Sequence, residues 1–465
     1  MQKFVLKFES ANGSMQPAST LPSRGIARWI MCPIARLIGL SAISLLGTRP
    51  AAAAPLYSLA PPQAALAHHL AMLRLMLHFG VEAGVVLLLV LLLEGRWAQR
   101  LAGRMESLRG KPWVQTALFA AALLMLLEGC VLLPAGALMH RALLRVGISI
   151  QSWSGWLRDQ SVATLLMLVV GVPVLVFARW LLVRWPRRAW LWFWLASVPV
   201  IVAGALVLPQ IVEPVFDHFE PLAATHPELV AQFERVVART GTAIPPQRMF
   251  LMEASAKGNG LNAYVSGIGP TKRIVVWDTT ADRMPQDEIL FILAHESGHY
   301  VLHHLAWGIA MGIAGTLALL WLTMKLAAWL LRRGGRRWRI ESLASLPGMV
   351  VLLLALALLE MATEPVGNCI SRVIEHQADI YGQEAIHGIV ADPQRTAVAA
   401  FEQLGQAWLE DPHPGPLVVF WTYDHPSIQS RAEFAAHYDP WSAGGHPRYF
   451  PPTPLPAPTA TLGLP

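Results

Sequence analysis

The sequence predicts a mainly α, polytopic helical membrane protein of six or seven spans, with a small α+β, zincin-like catalytic domain. Three observations predict it. The 465-residue chain is 54% hydrophobic and only 14% charged, against about 25% charge in ordinary soluble domains. Apolar runs of roughly 20 residues or more recur, flanked by arginine. One longer polar stretch, 213–300, ends in His295-Glu296-Ser297-Gly298-His299.

Leu37 to Gly47 is a short apolar run between Arg36 and Arg49, followed by Ala52-Ala53-Ala54. That is the pattern of a secretory signal peptide, so residues 1–54 read as a signal-like segment, with Met31 the better-placed start. An uncleaved first span near 26–47 is the alternative. Four spans follow near 69–93, 114–138, 161–183 and 189–212, giving an N-terminal membrane domain over 55–212. Residues 213–440 form a second unit with two further spans, near 301–331 and 344–363. From Trp441 the chain is rich in Pro, Gly and Ala, so 441–465 reads as a disordered tail.

Within 213–300, Pro227 to Thr240 has helical spacing. Met249–Met252, Ala263–Ser266 and Arg273–Trp277 read as short strands, broken by turns at Gly258-Asn259-Gly260 and Gly267–Pro270. Pro285, Asp287 and Glu288 open the next helix, which carries the His pair and is expected to run on into the following span.

Lys and Arg in the short loops set the orientation. Residues 95–113 hold Arg96, Arg100, Arg104, Arg109 and Lys111; 183–188 hold Arg184, Arg187 and Arg188; 332–340 hold Arg332, Arg333, Arg336, Arg337 and Arg339. The loops alternate correctly when all three are cytoplasmic. Residues 213–300 and the region after 363 then face the other side, which in a bacterial inner membrane is the periplasm. The net charge of +6 does not point to nucleic acid, because the Arg clusters cap apolar runs and lack interleaved aromatics. Cys32, Cys130 and Cys369 form no metal-ligand or redox spacing.

The chemistry lies in the H-E-x-x-H pattern. On a helix, His295 and His299 share a face, so both imidazoles can reach one metal ion. Two neutral imidazoles suit Zn²⁺. Glu296 sits beside the metal, where it can take a proton from a metal-bound water. The pattern implies a hydrolase, most often a peptidase. A catalytic zinc needs a third protein ligand. The metzincin solution fails, because position 305 is Leu. The alternative is a downstream Glu on a helix, and Ser371–Asp379 has helical spacing with Glu375 and Asp379 four apart. Two spans joined by a tight basic loop bring Glu375 back to the side of the His pair.

Other polar residues in apolar surroundings have two readings. Arg74, His78 and Glu82 recur at spacing four in one span, and Glu128 lies in the middle of another. Such groups face a bundle interior or a water-filled cavity, as a paired structural cluster or as the lining of a chamber. His303 reads as a polar residue at the membrane boundary, and His376 as a helix-surface residue.

The chain resembles the CaaX prenyl protease type 1 family of integral-membrane zinc metalloendopeptidases. The matching stretches are Asn262-Ala263-Tyr264-Val265-Ser266-Gly267, His295–His299, Ser371–Asp379, and Asp424-His425-Pro426-Ser427 with Arg431. They span roughly 65–440. The resemblance implies one Zn²⁺ per chain on His295, His299 and Glu375, with Glu296 as general base. It makes Asp379 a carboxylate that orients a ligand His. It assigns His425 and Arg431 to the oxyanion or the substrate, and Asn262 with Ala263 to the substrate backbone beside an edge strand. It also implies spans that enclose a water-filled chamber.

The sequence departs from the family in its signal-like first segment, in a site facing away from the cytosol where prenyl groups are added, and in His376 within Glu-x-x-x-Asp. The function it implies is a membrane-embedded zinc endopeptidase acting on peptides or proteins. The alternatives are a quality-control protease of the HtpX type and a catalytically silent zinc-binding scaffold.

Overall fold

A computed structural model describes residues 55–451, apart from 109, 207, 268 and 443. The signal-like segment 1–54 and the chain from 452 onward lie outside the described residues. The membrane part opens with α1 (Pro61–Glu94), α2 (Trp97–Ser107), α3 (Pro112–Leu127) and α4 (Leu133–Arg145). It continues with α5 (Trp153–Arg184), α6 (Ala189–Leu206) and the short α7 (Leu208–Phe216). Two later helices, α11 (His304–Trp338) and α12 (Leu346–Ile386), return to it. Counting Pro112–Arg145 as one, six of the described helices are long and apolar enough to cross a bilayer. Several are longer than the apolar windows that mark them in the sequence. A 34-residue helix such as α1 spans about 50 Å against roughly 30 Å of hydrocarbon, so its polar ends carry the helical ladder out into water.

The join between α3 and α4 is a π-turn, Glu128–Leu132. Pro134 has no N–H to give the carbonyl one turn back, so the ladder widens there. The wide turn buries Glu128 against α5, where Gln160 Nε2 donates to it at 3.0 Å and Thr164 Oγ1 at 3.3 Å. Glu128 is therefore a paired structural group.

The three basic loops gather at one end of the bundle. Glu94, closing α1, meets Arg337 at 2.5 Å and accepts from Trp338 Nε1 at 3.2 Å, both at the end of α11. Arg179, near the end of α5, donates to the carbonyl of Ala344 at 2.9 Å. At the opposite end the 145–153 connection meets the extramembrane unit. Ile150 N–H donates to Lys257 C=O at 3.0 Å, and Lys257 Nζ lies 2.9 Å from Asp159 and 3.0 Å from Asp217.

That unit holds β1 (Phe219–Pro221), α8 (Pro227–Thr240), β2 (Met249–Met252), β3 (Ala263–Ser266), β4 (Arg273–Trp277) and the short α9 (Asp278–Arg283). It continues with α10 (Gln286–Val301) and, after α12, with α13 (Pro393–Trp408), α14 (Pro416–Thr422) and α15 (Ile428–His437). The four-stranded sheet has the order β1-β2-β4-β3. β2 runs parallel to β4, and β3 is an antiparallel edge with Ala263 opposite Val276 and Ser266 opposite Arg273. Phe233, Ile274, Val276, Phe291, Ala385 and Phe401 share one core between sheet and helices. This explains why Ile289–Ala294 is apolar on every face: α10 is enclosed by the sheet, α8, α12 and α13.

The α10–α12 contact is a backbone contact. A Cβ on Gly298 would stand 2.9 Å from the Tyr381 ring, and one on Gly382 would stand 2.9 Å from His295 N and 3.0 Å from its Cα. At Gly382 the two backbones meet directly, and at Gly298 the Tyr381 ring lies flush against α10.

Two expectations are corrected. The helix of the His pair does not run on into the next span; α10 ends at Val301, and His303 takes a left-handed φ of 57° before α11 begins. That kink turns the chain away from the sheet. The tail does not come loose at Trp441 either. Trp441 stacks on His387 at 4.0 Å, and Glu384 accepts the N–H groups of Arg448 and Tyr449 at 2.6 Å and of Phe450 at 3.0 Å. The aromatic residues scattered through this Pro-rich segment are what hold it as far as 451. At the other terminus Tyr57 is fully buried, donating from its N–H to Gln429 at 2.8 Å and from its hydroxyl to Glu410 C=O at 2.9 Å.

Gly382→Ala should therefore lower the thermal unfolding midpoint in detergent, by the equivalent of about 1–3 kcal/mol, through forced separation of α10 from α12. Gly367→Ala is the control on the same helix, since nothing stands within 4 Å of its Cβ position; it should leave the midpoint unchanged.

Candidate active site

The crossing brings residues far apart in sequence onto one point. α10 presents His295, Glu296 and His299; α12 presents Glu375 and, one turn on, Asp379. His295 Nε2 and His299 Nε2 are 3.2 Å apart. Glu375 Oε2 is 3.3 Å from His295 Nε2, and Glu375 Oε1 is 3.6 Å from His299 Nε2. A tetrahedral ion with bonds of about 2.0–2.1 Å holds its ligand atoms about 3.3 Å from one another. The three donors already have that spacing. Glu375 Oε2 is buried, and among the described residues it has no partner of good hydrogen-bond geometry. Ligand atoms converging at this spacing fit a cation, and the donor set fits zinc.

Around the donors is a charged frame. Asp379 Oδ1 lies 3.0 Å from His295 Nδ1, the ring atom turned away from the cluster. Arg431 grips Asp379 with both arms of its fork, Nε to Oδ2 at 3.0 Å and Nη2 to Oδ1 at 2.5 Å, while lying 4.4 Å over the Phe401 ring. This differs from the expected contact of Arg431 with oxyanion or substrate: the fork is committed to Asp379, a bidentate geometry that suits guanidinium. Arg431 arrives there because Ser427 caps α15, its Oγ accepting the N–H of Ser430 at 3.3 Å.

His425, just before that cap, has one nitrogen 3.2 Å from Glu375 Oε2 and the other 2.9 Å from Asp424. It is half exposed and stands at the open rim. Glu296 lies 4.0 Å from His295 Nε2. Burial pushes its carboxyl up to about 7. Burial likewise drives His299 down to about 3, so its ring is neutral. His295 behaves differently: burial opposes its charge, but the hydrogen bonds and charges of Asp379 and Glu375 win and raise it to about 10.

Ala263 opens β3, the edge strand packed on α10, and Asn262 directly precedes it. Asn262 N–H donates to Thr280 Oγ1 at 2.8 Å, and its carbonyl accepts from Trp277 N–H at 3.1 Å. The strand thus presents its outer edge beside the His helix. His376 lies off the cluster, packed edge-on against Phe434 at 4.4 Å.

Two residues of the site were not legible as such. His304 Nδ1 stands 3.2 Å from His299 Nδ1, and its Nε2 is 3.1 Å from Gln377 Oε1. His304 backs His299 as Asp379 backs His295, and Gln377 holds His304 in turn. A helix continuous through 303 puts His303 on that face; the kink exposes His303 and turns His304 inward.

The chain is similar to known membrane metalloproteases. Residues 223–439 match the model of peptidase family M48, and residues 43–218 match that of the CAAX prenyl protease N-terminal region with five membrane helices. The uncharacterized metalloprotease YhfN of Bacillus subtilis is 31% identical over 81% of this chain and 86% of its own length. CAAX prenyl protease 1 of Saccharomyces cerevisiae is 30% identical over 32% of each chain. The crystal structure of S. mikatae Ste24p shares the fold, with a TM-score of 0.69 at 19% identity over 82% of this chain and 90% of that one. The chain is a multi-pass membrane metalloprotease of peptidase family M48, with the N-terminal membrane region of the CAAX prenyl proteases.

Proposed function

We propose that this protein is a zinc-dependent endopeptidase whose site faces the periplasm of a bacterial inner membrane. The observation that carries the reading is the convergence of His295, His299 and Glu375 at zinc-ligand spacing, with Glu296 beside them. Zinc bound there supplies a Lewis acid for the peptide carbonyl and acidifies a bound water. Glu296 takes the proton from the attacking water and passes it to the leaving amine. His425, at the rim and braced by Asp424, is placed to donate to the oxygen of the scissile carbonyl as charge develops on it. Asp379 and Arg431 are positioning residues: the guanidinium fixes the carboxylate, and the carboxylate fixes the ring of His295. An extended substrate adds to the outer edge of β3 at Asn262 and Ala263.

The orientation is supported by the three basic loops meeting at the end of the bundle away from the site. It is supported too by Tyr57, docked on the extramembrane unit three residues past the Ala52-Ala53-Ala54 motif. Prenyl chains are attached in the cytosol, so this orientation favours peptides and proteins of the outer face as substrates.

Three substitutions separate the roles in a fluorogenic peptide assay paired with metal analysis. Glu296→Gln should keep zinc and lose activity by about 10²–10⁴-fold. His295→Ala should lose activity together with the zinc of this site. Asp379→Asn should weaken zinc binding by about 10–100-fold and regain part of its activity as zinc is raised. A Glu296→Gln enzyme turning over at the wild-type rate would remove the general-base role. For orientation, protease added to intact spheroplasts should cleave within 213–285; cleavage only after lysis would place the site in the cytosol.

A further inference from the structure

The Arg74, His78, Glu82 stripe on α1 meets α12. His78 Nε2 lies 3.0 Å from Glu364 Oε2 and 3.7 Å from Glu82 Oε1. The ligand atoms of His78, Glu82 and Glu364 all fall within 4.8 Å of one another. All three side chains are partly buried, between 18% and 24% exposed. His78 Nε2 is shut off from solvent, and among the described residues it makes no hydrogen bond of good geometry despite the nearby carboxylates. The imidazole nitrogen thus faces two carboxylates at ligand distance. Arg74, one turn earlier, points elsewhere: it donates to Glu410 at 3.3 Å and to the carbonyl of Trp408 at 3.1 Å.

We propose that His78, Glu82 and Glu364 form a second divalent-cation site, which ties α1 to α12. Distances of 3.0 and 3.7 Å between donors bracket the ligand–ligand edge of about 3.3 Å around a tetrahedral ion. One nitrogen with two carboxylates selects a first-row transition ion such as zinc over calcium or magnesium, which prefer all-oxygen shells. Glu364 precedes Glu375 by eleven residues of α12, which is about 16 Å of rise and about 20° of rotation. The two sites therefore lie on one face of one helix, the second deeper along the bundle. Ionisable groups at such depth are costly and point to function. The cation would hold α1 against the helix that carries Glu375, so that the N-terminal span and the catalytic helix move as one.

The test is zinc stoichiometry on the full chain in detergent, stripped with chelator and dialysed against Zn²⁺. The wild type should bind one ion more than Glu364→Gln, and Glu375→Ala should retain the ion that Glu364→Gln loses. Combining the two changes should remove both ions. His78→Gln, which is nearly isosteric, repeats the test should Glu364→Gln not fold. Zinc should also raise the unfolding midpoint of Glu375→Ala, and that rise should vanish in the combined variant. Equal zinc content in the wild type and Glu364→Gln overturns the second site and leaves the catalytic assignment standing. Loss of all zinc in Glu375→Ala also overturns it.

Discussion

The structure depends on one contact, the crossing of α10 and α12 at Gly298 and Gly382. With no Cβ at Gly382 the backbone of α12 meets that of His295 directly, and with none at Gly298 the Tyr381 ring packs flush on α10. A helix pair packed through ordinary side chains keeps its axes about 8–10 Å apart. Here the closer approach sets two carboxylates of α12 against one imidazole, one meeting Nε2 at 3.3 Å and the other Nδ1 at 3.0 Å. The spacing Glu-x-x-x-Asp on α12 is the counterpart of His-x-x-x-His on α10: each puts two groups one turn apart on the facing side.

This proximity concentrates charge. Glu296, Glu375 and Asp379 bring three carboxylates to the site, and Arg431 brings one guanidinium. With neutral imidazoles the balance is two negative charges, in a place where burial makes uncompensated charge expensive. A divalent cation settles it. Among the protein's own groups the excess appears as His295 raised to about 10 by its carboxylate neighbours and Glu296 pushed up to about 7 by burial. The frame outside the donors is therefore as much a part of the site as the donors. Arg431 fixes Asp379, and His304 with Gln377 backs His299, so each ligand ring has a partner on its far side.

Much of this was legible in the sequence, because period and spacing carry it. The strands at Met249–Met252, Ala263–Ser266 and Arg273–Trp277 lie where alternation and Gly turns put them. The pairing of His295 and His299 with a Glu across two spans follows from helical period and from the return of a membrane hairpin. What was missed depends on contacts between distant segments. The kink at His303 has neither Gly nor Pro to announce it, and with it goes the role of His304. The three-residue β1 is too short for any period to show. Composition read the segment after Trp441 as disorder, yet a few aromatic rings and one buried carboxylate, Glu384, suffice to dock it. The partner of Arg431 is set by the docking of α15 on α12, which no local pattern records.

The central claim is that the α10–α12 crossing builds a zinc site from two imidazoles and a carboxylate. X-ray absorption at the zinc edge of the purified full chain measures that shell directly in the Glu364→Gln background, where only the site at the crossing remains. The account predicts about four nitrogen and oxygen neighbours near 2.0–2.1 Å, with the outer-shell scattering of two imidazole rings. A shell containing sulfur, or one without imidazole scattering, would contradict it.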